Sequence, residues 1–531
     1  MRRTSTTAPP PPRPLALSVR PGRREGLAAL SGVLLALSFP KFGQGIVAWV
    51  ALTPLLVALA EAPSPAHGFR LGYVTGALSS LGIVYWTSIV VVQYGGLSRP
   101  VGIVVMLLLC LALALFPSLF GWMVARWARA RGPMAMLLAP IAWVATEILR
   151  AHTLFNFSWC LLGYSQHANL PMIQIARYGA VYAVSFLVAG VSGVLAFLIL
   201  ERRRGPRWAA LWAAAALLAV VWIHGQWRLG QVLPEEGRLR VGLVQASIGQ
   251  DEKWDAAHAW ANVERHLELT REAARQGARL VAWPESSVPF LFDRTPVVAE
   301  RLRAAAAETN AYLLFGNDDR EERADEHGRI WVGAKMIDPA GRLVLRYHKI
   351  RLVPFGEYVP MQSLLTLGGR FSARVVQEVG EFTPGEDYAI GAVDGHALAA
   401  FICYEAIFPD LVREFTARGA QLLVNITNDG WYGRTSAPYQ HFAMVVFRAV
   451  ENERYLVRAA NTGITAVVDP HGRVLAHTEL FERTVLVRDV PLLGTSTFYA
   501  RHGDLFAWAC LAVALALTAA EAANRRGRPH H

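Results

Sequence analysis

The sequence predicts an α/β domain inserted between the helices of an eight-span transmembrane α-helical bundle. Hydrophobic residues make up 53% of the 531 residues and charged residues only 18%, a balance typical of chains with many membrane spans. Apolar runs fill residues 26–225 and return only at residues 505–522. Between them, residues 233–499 have the composition of a soluble domain, long enough to bury a large core of its own.

Eight apolar stretches approach the length of about 20 residues that a helix needs to cross a bilayer. They are Gly26–Phe39, Gly45–Ala60, Phe69–Val92, Val101–Val124, Met134–Leu149, Tyr178–Leu200, Trp208–Ile223 and Leu505–Ala522. Residues 1–25 and 523–531 are then two tails. Glu147, near the end of the fifth stretch, is either a functional group in the membrane or a side chain that reaches the interface.

Clustered arginines predict the orientation of these helices. The clusters precede the first span and follow the fourth, sixth and eighth: Arg2, Arg3, Arg13, Arg20, Arg23, Arg24; Arg126, Arg129, Arg131; Arg202, Arg203, Arg204, Arg207; Arg525, Arg526, Arg528. All four lie on one side if both tails are cytoplasmic, so the positive-inside rule places residues 233–499 outside the cytoplasm. In a Gram-negative cell, that means an inner-membrane protein whose soluble domain faces the periplasm. The net charge of +11 thus indicates topology rather than nucleic-acid binding.

The soluble part alternates strand and helix patterns, which predicts a layered α/β domain. Strand candidates are Leu239–Ala246, Leu280–Trp283, Tyr312–Gly316, Val332–Ile337, Leu343–His348, Leu398–Ile402, Gln421–Ile426, Ile464–Val468 and Thr484–Val487. Helix candidates are Ala256–Gln276, Val297–Thr309, Phe408–Arg418 and Pro438–Asn452. Asp-Pro turn words at 338–341 and 469–472 predict two hairpins.

Three chemically useful side chains follow predicted strands: Glu285, Lys349 and Cys403. In layered α/β domains, reactive groups tend to lie where strands end. A cysteine thiolate is a nucleophile, a carboxylate can take its proton, and an ammonium can stabilise the thiolate and then an oxyanion, with the Tyr404 N–H as a second donor. Each residue alone also fits a structural role. Cys403 could be an inert core thiol, Glu285 a charge at a helix N-terminus, and Lys349 a solvated charge at a strand end.

These segments, in this order, resemble the nitrilase superfamily and, within it, the apolipoprotein N-acyltransferase family. The resemblance rests on Gln245, Lys253-Trp254, Lys349, Leu352-Val353-Pro354-Phe355-Gly356-Glu357-Tyr358-Val359-Pro360, Cys403-Tyr404-Glu405, Asn428-Asp429-Gly430-Trp431-Tyr432-Gly433, Arg458, Asn461-Thr462-Gly463, Phe157, Trp159, Gly163-Tyr164-Ser165-Gln166 and Gln174. It extends over nearly the whole chain. The sequence departs from the family at Ser158, where a proline is usual, and at Trp331-Val332-Gly333, where a Tyr-Asn-Ser-like word is usual.

The resemblance implies an α-β-β-α sandwich and a catalytic triad of Glu285, Lys349 and Cys403. It further implies that Cys403 takes the sn-1 acyl chain of a phospholipid, phosphatidylethanolamine being the expected donor, as a thioester. The acyl group then passes to the α-amine of the N-terminal S-diacylglyceryl-cysteine of an apolipoprotein. We expect no metal, cofactor or nucleic acid, and a monomer is the default expectation.

Six further residues are candidates for supporting or substrate-binding roles: Glu357, Tyr404, Glu405, Trp254, Trp431 and Tyr432. The resemblance implies that Glu357 orients the lysine or the substrate. In a continuing strand, Glu405 shares the face of Cys403; packing behind the site is the other interpretation for both glutamates. Trp431 and Tyr432 form either a lipid-facing gate or the packed core of a turn.

Two other functions remain open at this stage. A membrane-tethered amidase would use the same triad for hydrolysis, although many lipid-facing spans do not suit a soluble amide substrate. A transporter or receptor with a degenerate domain is the non-enzymatic alternative, which an intact triad disfavours. A fused glycosyltransferase domain has no room outside the spans and the single soluble domain.

Overall fold

A computed structural model describes residues 22–96, 98–153, 156–253, 255–321, 328–358 and 382–526. Both predicted tails lie largely outside these residues, and Trp254 and the Val359-Pro360 end of one motif lie outside them too. The membrane half contains the helices Arg23–Leu37 (α1), Gly45–Ala51 (α2), Thr53–Ala60 (α3), Pro65–Val84 (α4), Thr87–Gln93 (α5), Arg99–Leu113 (α6), Leu115–Arg131 (α7), Ala139–His152 (α8), Leu170–Ile173 (α9), Ala176–Leu200 (α10) and Arg204–Leu229 (α11).

Within the described residues, four helical segments are long and apolar enough to cross a membrane. They are Arg99–His152, Ala176–Leu200, Arg204–Leu229 and Leu505–Ala523. The helices α4 and α5 together pass the same test as a pair bent by 51°, and Gly45–Ala60 is a shorter apolar helix. Apolar helices thus form a membrane part, and the number of eight spans stays a prediction.

Close packing of α4 against α7 depends on small residues. Gly68, Gly72 and Gly76 follow one another at intervals of four, so they share one face of α4. A Cβ on Gly76 would lie 2.7 Å from the Cα of Ala114, and one on Gly72 would overlap the carbonyl of Pro117. Small residues at this spacing let two membrane helices bring their backbones together, where van der Waals contact replaces the hydrophobic effect.

The other half, which we call the sandwich half, is built from two six-stranded sheets. Its strands are Glu235–Gln245 (β1), Leu280–Ala282 (β2), Tyr312–Gly316 (β3), Asp319–Arg320 (β4), Ile330–Trp331 (β5), Gly333–Ile337 (β6), Leu343–His348 (β7), Gly391–Val393 (β8), His396–Ile402 (β9), Leu422–Thr427 (β10), Tyr455–Ala460 (β11), Ala466–Val468 (β12), Val474–His477 (β13) and Thr484–Leu493 (β14). The sheet orders are β14-β1-β2-β3-β6-β7 and β13-β12-β11-β10-β9-β8, with β4 and β5 as a separate pair. The two predicted hairpins are confirmed as β6–β7 and β12–β13.

Helices cover both outer faces of the sandwich. The first sheet packs on Ala259–Arg275 (α13) and Pro296–Thr309 (α14), after the short helix Gln250–Lys253 (α12). The second packs on Pro409–Ala417 (α15) and Ala437–Asn452 (α16). Phe498–His502 (α17) and Leu505–Arg526 (α18) follow the last strand. This is the predicted α-β-β-α layering. Helix α16 also packs on α10, so one helix contacts both the sheet and the membrane half.

Candidate active site

Glu285 and Lys349 meet although 64 residues separate them. Glu285 follows β2 and Lys349 follows β7, at strand ends of the same sheet. The Lys349 Nζ donates to Glu285 Oε1 at 3.2 Å, and the other oxygen, Oε2, accepts the backbone N–H of Asn428 at 2.9 Å. Both side chains are buried. Their convergence gives the site a fixed carboxylate and a fixed ammonium.

Glu357 is the second carboxylate on Lys349. Its Oε1 accepts from the Lys349 Nζ at 2.5 Å, while Oε2 accepts the Val353 N–H at 2.8 Å. Burial opposes the charge on Lys349, but Glu357 and Glu285 outweigh it and hold the pKa of the ammonium well above its usual value. Lys349 is therefore a cation in the resting site, and the structure places Glu357 directly on it.

Cys403 is positioned at a sharp turn directly after β9. Its φ of 51° is in the left-handed region, which costs free energy for a residue with a Cβ, and its side chain is 4% exposed. Burial raises the pKa of the thiol, the charge of Glu285 raises it further, and Lys349 lowers it. The resting side chain is thus a thiol, and it lies within the electrostatic reach of both predicted partners.

Glu405 does not share a strand face with Cys403, because β9 ends at Ile402 and residues 403–407 form a 3-10 turn. Its Oε1 accepts from the Tyr347 hydroxyl at 2.6 Å and from the Ile350 N–H at 2.7 Å, and its Oε2 accepts the Ile402 N–H at 2.7 Å. The residue is fully buried. Glu405 therefore ties the backbone after Lys349 to the backbone before Cys403, which is the packing role behind the site.

Tyr404 is buried with its ring edge-to-face on Phe408, at 5.1 Å between ring centroids. Its hydroxyl has no hydrogen-bond partner among the described residues. Burial raises the pKa of this phenol, so its side chain is neutral. The side chain packs beside the site, and its backbone N–H follows the nucleophile.

Sequence reasoning missed two charged groups at the site. The Lys253 Nζ donates to the backbone carbonyl of Glu285 at 2.8 Å and so fixes the carboxylate's main chain. Asp318 lies after β3 with a buried oxygen that lacks a partner among the described residues. Burial, then the charges of Glu285 and Glu357, raises the pKa of Asp318 to about 7. Lys253 was part of a family motif, but the sequence assigned no role to it. No local sequence pattern indicated Asp318.

A buried polar network contacts the backbone of Cys403. The carbonyl oxygen of Cys403 is 3.1 Å from the Nε2 of His441, on α16. The Nδ1 of His441 lies 3.0 Å from Asp429 Oδ1 and 3.1 Å from the Arg458 Nη2. Burial opposes the charge on Asp429, but Arg458 and His441 hold the pKa of that carboxyl below its usual range. Arg458, which the sequence left without a role, thus belongs to this network, and His441 was not anticipated.

An aromatic cluster joins residues of the two halves of the molecule. Tyr432 packs against Trp86 and Trp159 at centroid distances of 5.0 and 5.9 Å, and it is buried. Trp431 is half-buried and packs edge-to-face on Tyr94 at 5.0 Å. Trp86 lies between α4 and α5, Tyr94 follows α5, and Trp159 lies in the loop after α8. The pair is therefore packed where the two halves meet.

Gln440, on α16 of the sandwich half, bonds two members of the same aromatic cluster. Its Oε1 accepts the indole N–H of Trp159 at 2.8 Å and that of Trp86 at 3.2 Å. Its Nε2 donates to the carbonyls of Pro40 at 2.8 Å and Ile83 at 3.1 Å. Gln440 precedes His441 on α16, so neighbouring residues contact the aromatic cluster and the nucleophile's backbone.

The remaining candidates take structural positions. Glu147 is buried, and its Oε1 accepts from the Trp143 indole at 3.0 Å and from the Leu162 N–H at 2.7 Å. Asn461 bonds the backbone of Ile248 in both directions, at 2.8 and 3.0 Å. In the part of the chain that the structure describes, no group of three His, Cys, Asp or Glu side chains is arranged to hold a metal ion.

Two family models match the chain. The model of the apolipoprotein N-acyltransferase N-terminal domain matches residues 31–194, and that of carbon-nitrogen hydrolases matches residues 240–498. An apolipoprotein N-acyltransferase of Geobacter metallireducens is 41% identical over 96% of this chain and 97% of its own length. One from Methylococcus capsulatus is 34% identical over 90% and 92%. Among solved structures, a Nesterenkonia amidase of the nitrilase superfamily aligns with 49% of this chain and 94% of its own, with 25% identity and a TM-score of 0.37.

Proposed function

Because the chain belongs to the apolipoprotein N-acyltransferase family, a family of membrane acyltransferases, we propose that its reaction passes through a thioester on Cys403. The observation that supports this most directly is the buried set of Glu285, Lys349 and Cys403, drawn from both sheets. Its substrates are a lipid donor and an apolipoprotein acceptor, as the family name implies.

In the first half-reaction, the Cys403 thiol loses its proton to Glu285 and its sulfur attacks the sn-1 ester carbonyl of a phospholipid, for which we take phosphatidylethanolamine. The Lys349 ammonium and the Tyr404 N–H stabilise the oxyanion. The ester C–O bond breaks, Glu285 returns the proton to the leaving alkoxide, and a lysophospholipid departs. Burial of the thiol keeps it protonated until Glu285 acts, which suits general-base activation.

In the second half-reaction, the α-amine of an S-diacylglyceryl-cysteine attacks the thioester carbonyl. Glu285 takes a proton from the amine, the C–S bond breaks, and the thiolate regains the proton. The product is an amide, and the enzyme returns to its resting state. The buried site protects the thioester from water, because hydrolysis would lose the acyl group.

The supporting residues act by holding these groups. Glu357 keeps Lys349 charged and aligned, and Glu405 fixes the main chain on both sides of the triad. Trp431 and Tyr432, with Trp86 and Trp159, form the wall along which the acyl chain reaches Cys403. Trp254 is the remaining candidate for substrate contact.

We further propose that the protein is a monomer in the bacterial inner membrane. Residues 26–225 and 505–522 form eight spans, residues 1–25 and 523–531 are cytoplasmic tails, and residues 233–499 face the periplasm. The arginine clusters support this orientation through the positive-inside rule. In it, the sandwich half meets the outer leaflet, where both lipid-anchored substrates are found.

The test uses the full-length protein with phosphatidylethanolamine labelled in its sn-1 acyl chain, followed by intact mass. We expect hydroxylamine-sensitive label on the wild type and none on Cys403→Ala, with Cys510→Ala as a matched control in a membrane helix. A diacylglyceryl-cysteine peptide should then remove the label as an amide. Equal labelling of Cys403→Ala, or release of free fatty acid instead of amide, would overturn the proposal.

A further inference from the structure

The peptide bond between Cys403 and Tyr404 is held from behind by a buried histidine. His441 is fully buried, and its Nε2 is the partner of the Cys403 carbonyl oxygen at 3.1 Å. A carbonyl only accepts, so Nε2 carries a proton. Nδ1 faces both Asp429 Oδ1 at 3.0 Å and Arg458 Nη2 at 3.1 Å, and Nε2 donates to the Cys403 carbonyl whether or not Nδ1 is protonated as well.

The geometry of the peptide bond links this contact to the chemistry. A trans peptide is planar, and its C=O and N–H point in opposite directions. Anchoring the carbonyl of Cys403 on His441 therefore directs the N–H of Tyr404 to the other side of the turn. The left-handed φ of 51° at Cys403 is unfavourable for a residue with a side chain, and the bond to His441 is one of the contacts that stabilise it.

We propose that His441 is a positioning residue that aims the Tyr404 N–H at the oxyanion by holding the Cys403 carbonyl. This inference rests on the proposed function, in which that N–H donates to the tetrahedral intermediate. His441 does not touch the substrate and moves no proton. Its ring is held in turn, because its Nδ1 lies 3.0 Å from Asp429 Oδ1 and 3.1 Å from Arg458 Nη2, and Arg458 donates to Asp429 at 2.7 Å.

Two substitutions distinguish the contacts of the His441 Nδ1 from the contact of its Nε2. The amide of His441→Asn reaches about as far as Nδ1, so it keeps contact with Asp429 and Arg458 but loses the Cys403 carbonyl. The amide of His441→Gln reaches about as far as Nε2, so it keeps an N–H for that carbonyl. His471→Asn is the matched control: this histidine is also buried, and its Nε2 lies 3.3 Å from the carbonyl of Gln231, outside the site.

The experiment measures two rates on each full-length variant. One is acyl-enzyme formation from labelled phosphatidylethanolamine, which needs the oxyanion donors. The other is alkylation of Cys403 by iodoacetamide, which needs an accessible thiolate but no oxyanion. Removing one oxyanion donor typically costs about 10²- to 10³-fold in rate. We expect His441→Asn to slow acylation about 10- to 100-fold with alkylation within about 2-fold of wild type, and His441→Gln to recover most of the acylation rate.

Each other outcome has a defined meaning. If alkylation falls in parallel with acylation, His441 acts on the thiol or the fold, and the inference is wrong. If the Asn and Gln variants lose acylation equally, the contact with the Cys403 carbonyl is not what matters. A wild type that forms no acyl-enzyme overturns the proposed function and this inference with it, whereas normal acylation by His441→Asn overturns this inference alone.

Discussion

The ammonium of Lys349 lies 2.5 Å from Oε1 of Glu357, a carboxylate whose other oxygen is fixed by the N–H of Val353. Lys349 also bonds Glu285 at 3.2 Å, so one buried cation balances two carboxylates. Of the two carboxylates, Glu357 contributes more to the raised pKa of Lys349, so it keeps the ammonium charged.

We expect Glu357→Gln to slow acylation about 10- to 100-fold, since an oxyanion-stabilising charge is then misplaced. The same change removes the largest influence that raises the pKa of Lys349, so that pKa falls. The alkaline limb of the pH–rate profile should therefore move to lower pH, which a stopped-flow acylation series would measure. The exposed Glu300→Gln on α14 is the control, and an unmoved alkaline limb would contradict this role.

Asp318 should make stability depend on pH. Its pKa is about 7 in the folded protein against an ordinary value of 3.8, so unfolding releases a proton between those pH values. Its contribution is fully present below about pH 4 and is lost as the pH rises towards 7. We expect Asp318→Asn to unfold like wild type near pH 4 and to be more stable at pH 8, by on the order of 4 kcal/mol.

Thermal unfolding in detergent at several pH values measures this difference. The exposed Asp489→Asn is a matched control, because its carboxylate pairs with Arg240 at the surface at 2.6 Å. A stability gap between wild type and Asp318→Asn that does not widen with pH would show that Asp318 is ionised in the folded protein.

Gln440 should be a principal link between the two halves. In Gln440→Leu, the indole N–H groups of Trp86 and Trp159 and the carbonyls of Pro40 and Ile83 lose their partner. Buried polar groups without partners cost about 1–3 kcal/mol each, so we expect a loss of roughly 3 kcal/mol or more in unfolding free energy.

The measurement for Gln440 is thermal unfolding of the full-length protein in detergent. Gln276→Leu, at an exposed position after α13, should change stability by less than about 0.5 kcal/mol. Equal stability of the two variants would mean that the bonds of Gln440 are replaced when they are lost.

Replacing glycine by alanine should destabilise the protein at Gly72, in the α4–α7 contact, but not at Gly26 in α1. In Gly72→Ala the new methyl overlaps the carbonyl of Pro117, and the two helices must separate. Gly26→Ala, within α1, meets nothing within 4 Å and should be neutral or stabilise the helix by up to about 1 kcal/mol. Unfolding temperatures of the two purified variants check this, and a Gly72→Ala protein as stable as wild type would exclude close packing at this point.

Local patterns identified much of the architecture. The alternation of apolar runs predicted the sheets, and the turn words at 338–341 and 469–472 predicted two hairpins that are present. The predicted strand end at Ile402 is confirmed, but the strand does not continue in a way that would put Glu405 on the face of Cys403, because a 3-10 turn follows. Backbone conformation at a strained turn depends on what surrounds it, and here Tyr347 and His441 bond the turn from distant elements.

Composition and periodicity are local properties, and they were enough to predict a membrane part, an α/β domain and strand ends bearing a carboxylate, a lysine and a cysteine. Which of these groups meet depends on the packing of the whole fold. The Glu285 carboxylate bonds a backbone 143 residues away, and Gln440 bonds an indole 354 residues away. Such contacts depend on how sheets and helices pack, and spacing along a chain does not encode that distance. For the same reason no local pattern marks His441, which contacts Cys403, or Asp318, whose pKa the charge of Glu285 raises.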